Sequence, residues 1–122
     1  MKLGKSTNKK NTVQKGKEGE DRAANYMVDL GYELLDRNYR SGRAEIDLIV
    51  RKKELLVFVE VKMRKNNRYG EPELSVNEKK AELIIDAAEN FIFENDWRGA
   101  IRFDIVSIEG DKRIMHFEDA FS

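Results

Sequence analysis

Residues 45–62, EIDLIVRKKELLVFVEVK, decide the fold of this chain. Polar and apolar residues alternate over 45–50, a charged turn follows at 51–54, and 55–62 is rich in valine, leucine and phenylalanine. Two such runs joined by a short polar turn are typical of a β-hairpin. Because both faces of the second run are largely apolar, we expect its strand to lie in the interior of a sheet.

Three carboxylates are expected to meet on this hairpin. Side chains two residues apart in a strand share a face, which groups Glu45 with Asp47 and Glu60 with Lys62. A tight turn sets Glu60 opposite either Glu45 or Asp47, with the other acid diagonal to it. Either register therefore brings three carboxylates together beside Lys62.

Carboxylates at this range resist joint ionisation unless a cation or a proton intervenes. Divalent cations such as Mg²⁺ or Mn²⁺ take oxygen ligands, so Asp47, Glu60 and Glu45 are the predicted metal ligands. In a phosphodiesterase site, Lys62 would position the attacking water or stabilise developing charge. Two alternatives stay open: Glu60 and Lys62 as a salt-bridged pair on an edge strand, and Glu45 as a solvated or arginine-paired residue.

Helical spacing, strand-like runs and turn residues divide the rest of the chain. Before the hairpin, the predicted elements are a helix over 17–30, a strand over 32–35 and a polar loop over 36–43. After it come a loop over 65–74 and a second helix, which starts in a capping box of Ser75 and Glu78 and ends at about Asn95. Two further strands are predicted over 101–108 and 113–117. The order αβββαββ favours an α/β fold in which helices flank a mixed sheet.

Each predicted helix carries one charged residue on its apolar face. Glu20 lies on the inner face of the first helix, where it acts either as a partner of the helix dipole or as a contributor to the metal site. Lys80 lies on the inner face of the second helix. It is interpreted either as a lysine whose ammonium reaches solvent along an apolar stem or as a phosphate contact.

Composition excludes several classes of protein. The absence of cysteine excludes disulfides and thiolate metal sites, and the single histidine excludes a multi-histidine zinc site. No apolar run approaches the roughly 20 residues that span a bilayer, and the N-terminus lacks the apolar middle of a signal peptide. We therefore expect a cytoplasmic protein without membrane contact.

Charge is distributed unevenly although the formal net charge is zero. Residues 1–17 carry six lysines and no acid, so the other 17 basic and 23 acidic residues leave the rest of the chain at −6. Residues 1–16 also lack hydrophobic periodicity, which predicts a disordered basic tail ahead of a single domain over 17–122. The tail is interpreted either as a solubilising terminus or as an arm that attracts phosphates.

An ordered series of residues between Gly16 and Phe121 resembles the YraN-like bacterial proteins, predicted endonucleases distantly related to archaeal Holliday-junction resolvases. The series comprises Gly19 and Glu20 with Ala23, Gly31 and Tyr32, Arg37 to Arg40, Glu45 to Ile49, Phe58 to Lys62 with Arg64, Tyr69 and Gly70 with Pro72, Val76 with Lys80, Arg102 to Asp104, and Ala120 with Phe121.

The resemblance implies the restriction-endonuclease-like fold of the PD-(D/E)xK superfamily, with Asp47, Glu60 and Lys62 at the catalytic positions and Glu20 as a helix-one acid. It implies a Mg²⁺-dependent endonuclease acting on DNA, with branched or structured DNA as one candidate substrate, and it allows a homodimer. A non-catalytic nucleic-acid-binding protein and an interaction module of a DNA-processing assembly are the alternatives. The predicted nucleic-acid contacts are Arg40, Arg43, Arg64 and Lys80.

Overall fold

The structure, a computed structural model, describes residues 7–64, 76–110 and 113–121, with side chains from Lys17 onward. Its helices are α1 (Thr7–Asp29) and α2 (Glu78–Glu94), and its strands are β1 (Glu33–Ser41), β2 (Ala44–Lys52), β3 (Leu55–Arg64), β4 (Ala100–Glu109) and β5 (Arg113–Phe117). The predicted order αβββαββ is confirmed. Within the described residues, neither helix combines the length and apolar character needed to cross a bilayer.

The five strands form one mixed sheet in the order β1-β2-β3-β4-β5. Neighbouring strands are antiparallel except β3 and β4, which are parallel and are connected through α2. A parallel pair needs such a crossover, whereas antiparallel pairs close through short turns. The strand with two apolar faces, β3, is central as predicted, and the architecture is consistent with a restriction-endonuclease-like fold.

One hydrophobic cluster lies on each face of the sheet. Val57 and Val59 of β3 pack against α1, where they are buried together with Ala23 and Met27 of that helix. The alternate β3 residues Leu56 and Phe58 pack against α2. The buried residues of that helix in the same cluster are Ile84, Ala87, Ala88 and Phe91. Each large side chain buried in this way contributes roughly 1.5–3 kcal/mol. Helices on both faces therefore explain why β3 is apolar throughout its first half.

The polar loop predicted over 36–43 is wrong for residues 36–41, which belong to strand β1. This strand runs through Ser41 and pairs with β2 from Glu33↔Arg51 to Ser41↔Ala44. The prediction was wrong because β1 is an edge strand, whose polar side chains stay in contact with solvent and leave no apolar signal. An irregularity between Leu34 and Asp36 further obscures the alternation.

Both helix starts differ from the prediction. α1 begins at Thr7 rather than at residue 17, because a helix propagates by local hydrogen bonds even where no apolar face marks it. The N-cap of α2 is Asn77, whose side chain accepts a hydrogen bond from the backbone N–H of Lys80, so the capping box of Ser75 and Glu78 is wrong. Residues 1–6, Ser75 and the predicted loop 65–74 lie outside the described residues. The disorder predicted for the N-terminus stays a prediction for residues 1–6, whereas residues 7–16 belong to α1.

Candidate active site

Asp47 lies where the β2–β3 ladder ends. The ladder runs from Lys52↔Leu55 to Leu48↔Val59, so its register continues to Asp47 opposite Glu60. The Asp47 side chain then replaces the next rung, because its Oδ2 accepts a hydrogen bond of 2.8 Å from the backbone N–H of Val61. Of the two predicted registers, the one that pairs Asp47 with Glu60 is therefore formed.

Strand β2 changes face at Asp47. Leu48 packs in the α1 cluster and Ile49 in the α2 cluster, but Ile46 also belongs to the α2 cluster. The strict alternation that placed Ile46 and Leu48 on one face is therefore wrong. Between their partners in β1, Asn38 has a positive φ of 52°, a conformation that asparagine tolerates better than most residues. At this change of face the Asp47 carboxylate reaches β3, where it accepts the hydrogen bond from Val61.

Glu60 is the acid that the fold buries most deeply at this site. It is 7% exposed, and its Oε2 accepts a hydrogen bond from the ammonium of Lys80. Lys80 lies in the first turn of α2, where Asn77 fixes its backbone. Neither interpretation offered for Lys80 included this ion pair, which joins residues 20 positions apart. Its role as a phosphate contact stays a prediction.

Burial raises the pKa of the Asp47 carboxyl to about 7, and the charge of Glu60 acts in the same direction. The hydrogen bond from Val61 lowers this pKa, while Glu20 and Glu45 raise it further. Glu45 and Glu60 therefore both act on the charge of Asp47, as the hairpin argument expected, and Glu20 of α1 does so as well. A cation beside Asp47 would reverse the effect, because it favours the charged form.

Glu20 and Glu45 contact basic or polar residues of β1. Glu20 accepts hydrogen bonds from Asn38 Nδ2 at 3.1 and 3.2 Å, and Arg37 lies 3.7 Å from it. Because Glu20 lies well inside α1, its interpretation as a partner of the helix N-terminus is wrong. The Glu45 carboxylate lies 3.6 Å from Arg40, as in the arginine-paired interpretation.

An open cleft of about 240 Å³ brings part of the predicted set together. It is lined by Arg43, Ala44, Glu45, Asp47, Glu60, Lys80, Leu83 and Ile84. Arg43 and Lys80 thus share the cleft with three of the acids. Arg40 is 77% exposed at the sheet edge, outside the cleft lining.

Lys62 and Arg64 follow Glu60 along β3. Lys62 is partly buried and is level with Ser107 of β4, while Arg64 ends the strand beside Glu109. The Nε atom of Arg64 is buried and makes no hydrogen bond within the described part of the chain. These two side chains therefore extend the row that begins at Glu60, toward the carboxyl end of β3.

The donor set suits a sparsely coordinated Mg²⁺ or Mn²⁺ ion. Among the described residues, no group of three or more carboxylate or histidine side chains is arranged to hold a metal ion. Mg²⁺ is commonly held by one or two carboxylates, with waters and substrate phosphates completing its shell. Asp47, whose pKa is raised by its own burial and by the charge of Glu60, and the buried Glu60 fit that description.

A second polar network, on the α1 face, was not found from the sequence. Asp104 is fully buried and accepts hydrogen bonds from Arg102 at 2.8 Å, from His116 Nε2 at 2.7 Å and from the Asp119 backbone at 3.1 Å. The Tyr26 hydroxyl lies 3.2 Å from His116 Nδ1. The alternate spacing of Arg102 and Asp104 in a strand was the available signal. This network connects α1, β4, β5 and the C-terminal segment.

Comparisons with known proteins agree on one family. The profile of "Uncharacterised protein family UPF0102" matches residues 19–108. A UPF0102 protein of Cytophaga hutchinsonii is 43% identical over 107 residues, which cover 88% of this chain and 95% of the relative. Another, from Sulfurihydrogenibium sp., is 44% identical over 111 residues, covering 90% and 96%. The match includes every acid of the cleft.

Proposed function

We propose that this chain, which belongs to the uncharacterised protein family UPF0102, is a divalent-metal-dependent endonuclease that hydrolyses phosphodiester bonds in branched or structured DNA. One observation carries the proposal. Asp47 and Glu60 converge from adjacent strands in a cleft that also contains Arg43 and Lys80. Paired carboxylates with neighbouring cations suit a metal held against a phosphate group.

The chain's own residues divide the work of such a site. Asp47 and Glu60 would hold the ion, and Glu45 lines the same cleft. Glu20 of α1 lies outside the cleft lining and acts on the charge of Asp47. When bound, Mg²⁺ or Mn²⁺ neutralises phosphate charge and makes water a better nucleophile. The hydrogen bond from Val61 fixes the direction of the Asp47 carboxylate before any ligand arrives. That preorganisation lowers the reorganisation needed during reaction.

Basic residues then orient the substrate. Arg43 lines the cleft, and its guanidinium suits a phosphate oxygen pair. Lys62, two residues beyond Glu60, positions water or stabilises the charge that develops on the phosphate. Arg64, at the end of β3, and Arg40, which lies beside Glu45 but outside the cleft lining, contribute further phosphate contacts. These contacts are sequence-independent, which fits an enzyme that recognises DNA shape.

The test is a cleavage screen on duplex, single-stranded, flap and four-way-junction DNA with Mg²⁺ or Mn²⁺. The expected result is metal-dependent cleavage that Lys62→Ala abolishes while DNA binding is largely retained. A purified parent protein that cleaves none of these substrates with either metal would overturn the proposal.

One observation favours a second candidate, a non-catalytic nucleic-acid-binding protein. Lys80 already neutralises Glu60, which is the arrangement expected of a site that does not need a metal. In that case DNA binding would be unaffected by Mg²⁺ and by Asp47→Asn. An interaction module of a DNA-processing assembly would bind no nucleic acid even at low salt.

A further inference from the structure

The ion pair with Lys80 occupies the Glu60 oxygen that a metal ion would bind. Glu60 has an almost fully buried carboxylate, with a side-chain exposure of 8%, whereas the Lys80 side chain is 50% exposed. The contact involves Oε2 of Glu60 and the ammonium nitrogen of Lys80. Glu60 is thus held in place by the protein around it, while its cationic partner has one side open to solvent.

We propose that Lys80 is an internal counterion that a divalent cation displaces from Glu60, and that the displaced ammonium then binds a substrate phosphate. This inference rests on the proposed function, because it assumes that Glu60 is a metal ligand. An ammonium and a divalent ion repel each other strongly at contact distance in a partly buried site. Lys80 and the metal therefore compete for the same carboxylate.

The placement of Lys80 allows this exchange. Its backbone is fixed by the Asn77 cap, but its side chain has four rotatable bonds and lines an open cleft. Arg43 lines the same cleft, so a phosphate there would meet two cations from different elements. In the absence of metal, the ion pair relieves the cost of burying the Glu60 charge. With metal bound, that role passes to the ion.

Such an exchange couples metal binding to substrate binding. The metal releases Lys80 for the phosphate, and a phosphate that captures Lys80 vacates Glu60 for the metal. Coupling of this kind is reciprocal, so each ligand must raise the affinity for the other by the same factor. The coupling should disappear when the ammonium is removed.

The first measurement is Mn²⁺ binding by isothermal titration calorimetry, without nucleic acid, to the full-length chain. Lys80→Met removes the charge and keeps most of the apolar stem, so it should bind Mn²⁺ about tenfold more tightly than the parent. Lys80→Gln, which can still hydrogen bond to Glu60, should show the same direction. Lys79→Met is the matched control, because Lys79 is exposed on the same turn and lies outside the cleft lining.

The second measurement is affinity for a short duplex DNA with and without Ca²⁺, used as a probe that avoids relying on turnover. Ca²⁺ should tighten DNA binding of the parent and of Lys79→Met, and should do so much less for Lys80→Met. Equal Mn²⁺ affinities for the parent and both Lys80 variants, all folded by circular dichroism, would overturn the inference and leave the proposed function standing. If neither the parent nor the variants bind Mn²⁺, both proposals fail.

Discussion

At the scale of single residues, Asp47 and Asp104 show how environment sets the behaviour of one side-chain type. Burial and neighbouring acids raise the pKa of Asp47 to about 7. Burial also acts to raise the pKa of Asp104, but hydrogen bonds from Arg102, His116 and Asp119 outweigh it and lower the pKa. The Asp47 carboxylate therefore has no compensating positive charge among the groups that shift its pKa, and a cationic ligand could supply one. The charge of Asp104 is compensated within the protein.

Asp47→Asn should stabilise the metal-free protein at pH 8. Because the folded-state pKa of Asp47 lies above its ordinary value of 3.8, folding is favoured while the carboxyl is protonated and loses that advantage as the pH rises from about 4 to 7. The amide oxygen of asparagine can still accept the hydrogen bond from Val61. We expect a gain on the order of 2–4 kcal/mol and a flatter profile over this pH range.

Thermal unfolding of parent and variant across pH 4 to 8 measures this effect. In the parent, millimolar Mg²⁺ or Mn²⁺ should raise the melting temperature, since a ligand that binds the folded state stabilises it. Asp47→Asn should lose that response. A parent protein whose melting temperature ignores both metals would argue against a working metal site.

Asp104→Asn should have the opposite effect on stability. Removing the charge leaves Arg102 and His116 without their buried partner, and breaking a buried ion pair costs about 3–5 kcal/mol. Because the folded-state pKa of Asp104 is lowered, its contribution is present above the ordinary pKa and is lost as the pH falls through the folded value. Urea unfolding at pH 7 and pH 3 checks both statements: the difference between parent and variant should shrink at the lower pH.

At the scale of elements, two glycines set how closely segments approach each other. A Cβ atom on Gly99 would lie 2.4 Å from the backbone oxygen of Glu54, which accepts a hydrogen bond from the Ala100 N–H. The three atoms nearest to a Cβ on Gly19 in α1 would all belong to the side chain of Met63, which is 48% exposed. The first obstacle is fixed backbone at the β2–β3 turn, and the second can rotate away.

Gly99→Ala should therefore destabilise the protein by about 1–3 kcal/mol, as overpacking against fixed backbone does. Gly19→Ala should stay within about 1 kcal/mol of the parent, because higher helix propensity offsets the movement of Met63. Chemical denaturation of the two single variants gives the comparison directly. Equal free energies of unfolding for both variants would show that the β2–β3 turn can shift to accept a methyl group.

At the scale of the whole molecule, sequence patterns predicted what depends on neighbours in the chain. The hairpin and the central position of β3 follow from strand alternation and turn length. The same argument limited the residue opposite Glu60 to Glu45 or Asp47, and the observed register selects Asp47. The contacts of Glu60 with Lys80 and of Asp104 with His116 join residues 20 and 12 positions apart, so they depend on how α2 and β5 pack. Local periodicity carries no information about such packing.

Charge is the property of the whole chain that bears most directly on nucleic-acid binding. The lysines of the first 17 residues balance a remainder at −6, so the proposed DNA binding would depend on local groups such as Arg43 and on the basic N-terminus. For a duplex ligand, each phosphate neutralised adds about 0.9 to the slope of log affinity against log salt. Each N-terminal lysine that reaches a DNA phosphate should add to that slope.

Deleting residues 1–15 should therefore weaken duplex binding and flatten its salt dependence. The sheet and both hydrophobic clusters lie beyond the deletion, so the domain should remain folded. A full-length variant with glutamine at Lys2, Lys5, Lys9, Lys10 and Lys15 is the matched control, because it removes the charge and keeps the chain. Fluorescence anisotropy at several salt concentrations should give both proteins the same reduced slope. A slope equal to that of the parent in both would mean that the N-terminus only aids solubility and that residues of the folded domain supply the phosphate contacts.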